Sequence, residues 1–414
     1  MHAARRSVLK GAGATAALTA AAAPAHAAGT RRVAIIGSGY GGAVAAAALT
    51  ARGIPVDLIE MGCDWENMGP GLNGKTFTSM TEPTSRSMWF ERRTDMPFAT
   101  IFGLDLVNRD IDEGAGVLGL ERFSDMKVYV GRGVGGGSLV NGGMAVTPRR
   151  SFFEQVLPQV DADEMYGTYF PRANSNLGVF APEGDIVAYS PWYQFTRNGV
   201  RMARKAGYES VPVPNVYDWD YLRRESYREE ERSALAQEVI FGNNHGKKSL
   251  PHTYLKRAMA TGLVNLVPLT EVRRIRQLSD GTWSLDLRTI DFEGTVLSER
   301  SAEYDRVVLA AGSLGTSKLM VKARAQGDIA GLDASVGTGW GPNGNTMLAL
   351  NSGGAGAISR ASRRWGSWPG TTARRRCSPR SHPCRPASRS SGPCSSRSRT
   401  TRTRAPSRPK LTAA

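Results

Sequence analysis

The sequence predicts an α/β fold in which a parallel, helix-flanked sheet is built from separated stretches of chain and interrupted by a second, α+β part. Three observations predict it. Val33-Ala34-Ile35-Ile36 runs into a glycine-rich turn and then an Ala-rich stretch, so a strand, a turn and a helix follow one another directly. Val56-Asp57-Leu58-Ile59-Glu60 follows as a second strand and closes one βαβ unit. Far along the chain, extended runs over 265–311 end in Val307-Val308-Leu309-Ala310-Ala311, which reads as a buried strand, and Gly312-Ser313-Leu314-Gly315 opens another helix.

Residues 1–27 read as a leader. Arg5-Arg6-Ser7-Val8-Leu9-Lys10 is a basic start, residues 11–23 are mildly apolar, and Ala25-His26-Ala27 is a cleavage site. The apolar run is too short to span a bilayer, which takes about 20 residues. The paired arginines point to export by the twin-arginine route and to a secreted protein. The first helix covers 43–52, with Gly53 as its C-terminal stop. Residues 69–104 carry Pro, Met and aromatics with no clean period and read as long loops over a site. Core packing explains Met88, Trp89, Phe90, Phe98 and Phe102 equally well. Residues 151–178 look helical with breaks. Over 265–311 the runs form a meander whose turns are Ser279-Asp280-Gly281 and Asp291-Phe292-Glu293-Gly294. The domain boundaries follow: 1–27 leader, 28–150 first nucleotide-binding segment, 151–240 part of a substrate domain, 241–350 further nucleotide-binding segments with the start of a second substrate segment, and 351–414 a tail.

The chain has 414 residues, enough for two or more units, and a net charge of +16. The charge belongs to the tail. From position 358 onward there are 14 Arg and Lys410 with no acid, and the last acidic residue is Asp333. The remainder holds 38 basic against 37 acidic residues, so the body is close to neutral and calls for no specific nucleic-acid partner. The tail lacks an apolar period and reads as disordered or as out-of-frame translation. A functional basic arm and a metal site from Cys377, His382, Cys384 and Cys394 are weaker readings, the latter because the spacing fits no zinc pattern. Cys63, alone in the body, reads as a half-buried free thiol rather than part of a disulfide framework.

The chemistry starts at Gly37-Ser38-Gly39-Tyr40-Gly41-Gly42, a G-x-G-x-x-G placed directly between strand and helix. Gly37 makes the tight turn, Gly39 lets a pyrophosphate approach the backbone, and Gly42 lets helix and strand pack closely. The helix start then offers free N–H groups and its positive dipole end to the phosphates. Glu60 ends the second strand 18 residues after Gly42, where a carboxylate accepts hydrogen bonds from the adenosine ribose and repels a 2′-phosphate. This is a Rossmann-like dinucleotide site. FAD is favoured over NAD because the unit starts the mature chain while the meander, last strand and glycine turn come much later, the arrangement of a split FAD domain. A second glycine-rich segment, residues 130–144, implies backbone packed against a flat surface such as a flavin. It contains no His, so covalent flavin attachment is not indicated.

Six stretches carry a resemblance: Gly37-Ser38-Gly39-Tyr40-Gly41, residues 131–146, Phe170-Pro171-Arg172-Ala173-Asn174-Ser175, residues 213–218, Gly242-Asn243-Asn244-His245-Gly246-Lys247, and Gly339-Trp340-Gly341-Pro342-Asn343-Gly344-Asn345. From about residue 32 to about residue 350 the chain resembles the sterol-oxidising members of the glucose–methanol–choline oxidoreductase family. The resemblance implies a Rossmann-like FAD-binding domain with split segments and a substrate domain, here incomplete, built on an antiparallel sheet. It implies FAD contacts at Tyr40 and Gly41, ribose binding at Glu60, a flavin-side wall of Gly137, Asn141, Gly142 and Met144, and an adenine contact through the backbone of Val272. It further implies oxidation of a 3β-hydroxysteroid to the 4-en-3-one with O2 reduced to H2O2, and transient contact with a membrane surface for sterol extraction. The family's His, Asn and Glu in that chemistry find no counterpart here, so no catalytic residue is assigned and this polypeptide by itself is expected to be inactive. His245 and His252 are expected to serve structure. A general alcohol oxidase of the same superfamily and a binding protein acting through the basic tail are the competing functions. No metal ligand set is expected.

Overall fold

The computed structural model describes residues 32–67, 83–95, 100–101, 104–105, 108–181, 184–190, 193–230, 246–342 and 371–375. The leader, Phe98, Phe102, His245 and the tail cysteines lie outside the described residues.

The chain opens with β1 (Val33–Ile36), α1 (Tyr40–Thr50) and β2 (Val56–Ile59). Two short pairs follow: β3 (Thr100–Ile101) with β4 (Leu104–Asp105), and β5 (Leu118–Arg122) with β6 (Lys127–Gly131). The stretch read as helical with breaks is α2 (Arg150–Val156), α3 (Ala162–Glu164), a π turn and α4 (Phe170–Leu177). Then come α5 (Gly184–Tyr189), α6 (Gln194–Lys205), β7 (Tyr208–Pro212), α7 (Trp219–Tyr227) and α8 (Tyr254–Met259). The last part holds β8 (Val264–Val267), β9 (Thr270–Gln277), β10 (Trp283–Ile290), β11 (Val296–Tyr304), β12 (Arg306–Leu309), α9 (Gly312–Gln326) and β13 (Thr371–Arg375).

The centre is a four-stranded parallel sheet ordered β12-β1-β2-β8. Its two inner strands are buried at every residue, as expected of a parallel sheet covered on both faces. Side chains alternate across it. Val33, Ile35, Val56 and Leu58 join Ala43 and Ala46 of α1 and Leu255 and Ala258 of α8 in one cluster. Ala34, Ile36 and Ile59 join Leu285, Leu287 and Ala302 of the antiparallel β11-β10-β9 sheet and Leu319 and Ala323 of α9 in another. Ile35 and Leu58 are wholly buried, and each contributes roughly 1.5–3 kcal/mol of burial free energy. The meander turns behave as their residues dictate: Gly281 and Gly294 take positive φ, and Asp280 and Asp291 accept from the backbone of Thr282 and Thr295.

Three expectations change. Val307-Val308-Leu309-Ala310-Ala311 is not a buried strand. Among the described residues β12 pairs on one side only, at the sheet edge, and Leu309 is exposed while Val307 and Val308 are partly buried. Cys63 is fully buried rather than half-buried: its Sγ lies 3.3 Å from the Ala115 carbonyl oxygen, and burial pushes the thiol up to about 12. Within the tail, Thr371–Arg375 forms a strand antiparallel to β7, whose edge supplies its backbone partners. In the part expected to bind substrate, Ile186, Tyr193, Tyr217, Trp219 and Leu222 make a separate small core. Among the described residues no helix is long and apolar enough to cross a membrane.

Candidate functional site

The turn between β1 and α1 is shaped by absent side chains. Gly37 has φ +97°, and a Cβ there would stand 2.5 Å from the Ala310 carbonyl oxygen. A Cβ on Gly42 would fall on the Gly37 carbonyl oxygen and within 3.3 Å of Ile35 Cγ2, so Gly42 sets the approach of α1 to β1. Gly39 differs: a Cβ there meets nothing nearer than Gly136 Cα at 4.0 Å, and the side of the turn that it would occupy is open. Gly41 is similar, with only the Ala310 methyl at 3.7 Å. The α1 N-terminus has no side-chain cap and no acid in its first turn, leaving its N–H groups available to an anion.

Glu60 closes on this turn. Its Oε2 accepts from the Ser38 hydroxyl at 2.6 Å and the Ser38 N–H at 3.0 Å, and its Oε1 accepts from Gly62 N–H at 2.9 Å. The carboxylate is buried, and these donors replace its lost water.

The second glycine-rich segment packs directly on the first. A Cβ on Gly136, which has φ +53°, would stand 2.8 Å from Gly39 Cα. Gly137 lies in the following 3-10 turn with open space where a side chain would be. Asn141 Nδ2 donates to the Tyr40 hydroxyl at 2.8 Å, joining the two segments, and its Oδ1 accepts from Gly143 N–H. The Gly142 carbonyl accepts from the Tyr217 hydroxyl at 3.3 Å, and Met144 is 56% exposed. The structure thus brings Gly37, Gly39, Tyr40, Gly41, Gly42 and Glu60 together with Gly137 and Asn141, while Gly142 meets Tyr217 and Met144 bridges to Asn215. Val272 sits apart on β9. The start of that strand is tied to the site through Thr270 N–H, which donates to the Glu60 carbonyl at 2.9 Å, and the Val272 side chain packs against the core.

Two residues at the site have no assigned role in the spacing of the sequence. Ser38 is fully buried between the two glycine segments. Lys247 is also buried: its Nζ donates to the Asn141 carbonyl at 2.6 Å and reaches the Leu139 carbonyl at 3.4 Å, and burial pushes the ammonium down to about 7. Lys247 lay within a motif of the resemblance, but nothing in that motif tells a buried lysine from a solvated one. His252 is held by its neighbours. Its Nδ1 lies 3.0 Å from the Lys247 carbonyl oxygen, and Glu66 at 3.4 Å raises its pKa above the ordinary histidine value.

The profile of GMC oxidoreductases matches residues 108–325, more than half of the chain, and that of NAD(P)-binding Rossmann-like domains matches residues 35–77. The chain belongs to the GMC oxidoreductase family. Its relatives include a cholesterol oxidase of Mycobacterium tuberculosis (strain CDC 1551 / Oshkosh), 25% identical over 327 residues, which is 74% of this chain and 50% of that protein. A cholesterol oxidase of Acinetobacter baumannii is 22% identical over 334 residues, 76% of this chain and 54% of that one. The chain therefore spans about half the length of these relatives. Among solved structures, pyridoxine 4-oxidase from Mesorbium loti is similar at a TM-score of 0.42 and 15% identity, covering 71% of this chain and 52% of that one. A formate oxidase is similar at 0.41 and 14%, covering 70% and 47%.

The cofactor of this GMC oxidoreductase is FAD, and the residues present fit its adenosine diphosphate half. The turn is open at Gly39 and Gly41, the α1 N–H groups are uncapped, and Glu60 Oε1 accepts one bond where a carboxylate oxygen has room for two.

Proposed function

We propose that the chain is the FAD-holding part of a 3β-hydroxysteroid oxidase, which converts a sterol to the 4-en-3-one with O2 reduced to H2O2. The observation that carries the cofactor half of this reading is Glu60 bonded to Ser38 at 2.6 and 3.0 Å, a carboxylate held at the mouth of the glycine turn. The sterol half is supported by the two cholesterol oxidase relatives. In this reading Gly37, Gly39, Tyr40, Gly41 and Gly42 receive the pyrophosphate, Glu60 the ribose, and Val272 the adenine through its backbone. Gly137, Asn141, Gly142 and Met144 line the flavin. FAD, when bound, supplies the hydride acceptor for the alcohol carbon. The protein's own contribution on this side is binding and orientation: Asn141 and Tyr40 lock the two glycine segments, and Lys247 holds the carbonyl of Asn141 in place.

The test is to purify the full chain, read bound flavin by its visible absorbance, and follow H2O2 release from cholesterol and from simple alcohols. Flavin retention with steroid-selective H2O2 release, by this chain or by a full-length relative carrying these residues, supports the reading. Preference for a non-steroid alcohol replaces it with a second reading, another FAD-dependent alcohol oxidase of the family, which rests on family membership alone. We further propose export by the twin-arginine route. Changing Arg5 and Arg6 to Lys is expected to keep the protein inside the producing cell, and unchanged secretion would rule that route out. A binding role for the basic tail predicts salt-sensitive retention on nucleic acid that is lost on deleting residues 359–414.

A further inference from the structure

Ser38 occupies the variable position between the first two glycines of the turn, and its side chain sits at the junction of three backbone segments. A hydroxyl has one proton to give and two lone pairs. The Ser38 proton goes to Glu60 Oε2 at 2.6 Å, and Gly135 N–H donates into the hydroxyl oxygen at 3.0 Å. The Gly133 carbonyl, at 3.4 Å, is a longer alternative acceptor for the same proton. With Ser38 N–H at 3.0 Å, both donors of this residue fall on one oxygen of Glu60. Oε2 is then filled, and the spare acceptor capacity of the carboxylate lies on Oε1, which among the described residues takes Gly62 N–H alone. The same hydroxyl holds Gly135 beside Gly136, whose α-carbon side abuts Gly39.

We propose that Ser38 is a positioning residue for the dinucleotide: it fixes the Glu60 carboxylate in one orientation and draws the second glycine segment against the first. This rests on the reading that the turn holds FAD. Replacing Ser38 by Ala removes one of the two bonds on Oε2 and leaves the buried Gly135 N–H without its acceptor, while the turn keeps its glycines.

The test uses the full chain stripped of flavin, with FAD titrated by quenching of its fluorescence and apoprotein folding checked by circular dichroism. S38A is expected to bind FAD roughly tenfold to a hundredfold more weakly than the parent. E60Q is expected to weaken binding as well, and the double variant S38A/E60Q by clearly less than the sum of the two single losses, because both changes break the Ser38–Glu60 linkage. A purely structural serine would instead give additive losses. S38A with the parent's affinity, or strictly additive losses, overturns the proposal. If S38A does not fold, S38C keeps the volume with a weak donor, and parent-like FAD affinity in S38C overturns it. A parent chain that binds no FAD overturns the reading of the site itself and the proposal with it.

Discussion

Two alanines three residues apart are expected to fail in different ways. Gly42→Ala puts a Cβ onto the Gly37 carbonyl oxygen, 2.9 Å from Gly37 C and 3.3 Å from Ile35 Cγ2. Ordinary carbon contacts lie near ~3.5 Å, so α1 must retreat from β1 by on the order of 1 Å. Both clashing atoms of Gly37 belong to backbone held by the Gly37 N–H to Ile59 carbonyl bond at 2.8 Å, so neither can swing aside. Overpacking of this kind costs about 1–3 kcal/mol and sometimes more. For a folded body of this size that corresponds to a fall in Tm of roughly 2–4 °C per kcal/mol. Gly39→Ala meets nothing within 4.0 Å, and Gly39 has φ −65°, which alanine adopts freely. Its effect on apoprotein stability should lie within about 1 kcal/mol, and a small gain is allowed because alanine restricts the unfolded chain. The methyl does, however, fill the open side of the turn, so FAD affinity should fall sharply. Thermal unfolding of the apoproteins and FAD titration separate the two quantities. A Gly39→Ala protein that unfolds or keeps its FAD affinity, or a Gly42→Ala protein with the parent's Tm, would refute these roles.

Further outcomes follow from individual side chains. E60Q presents an amide group where three donors converge, so the apoprotein should lose about 1–3 kcal/mol, read by urea unfolding. Lys247 has a folded-state pKa near 7, below the 10.5 of a free lysine, so between these values the unfolded chain binds more protons. Stability from this residue should therefore rise as pH goes from 7 towards 10. Cys63, pushed up to about 12, opposes this above pH 9, because the folded state then holds the proton that the unfolded thiol releases. Subtracting the pH–stability curve of K247M from that of the parent isolates the lysine; a flat difference across pH 7–9 would contradict its burial as a titrating group.

The βαβ unit and its carboxylate are legible in the sequence because each depends on residues a few positions apart. Glycines at 37, 39 and 42 can be assigned separate jobs, and Glu60 ends its own strand. The meander turns are legible for the same reason. The edge position of β12 is not. A run of Val and Leu announces a strand, but sheet order is set by long-range pairing, and among the described residues β12 pairs only with β1. Ser38 stays hidden because its partner Gly135 lies 97 residues away. The contact proposed for Val272 carries no local mark, since a contact made by backbone imposes no residue type on the position.

The Gly37–Ala310 contact has a consequence for biosynthesis. The nucleotide turn is completed from one side by β2 and from the other by the end of β12, whose Ala310 N–H donates to Ile36 and whose carbonyl fills the space beside Gly37. A nascent chain cannot assemble this cradle until some 310 residues have been synthesised, however early its glycines emerge from the ribosome. Capture of the cofactor is thereby deferred until β12 has emerged, and release of the first nucleotide-binding segment alone should yield a colourless product.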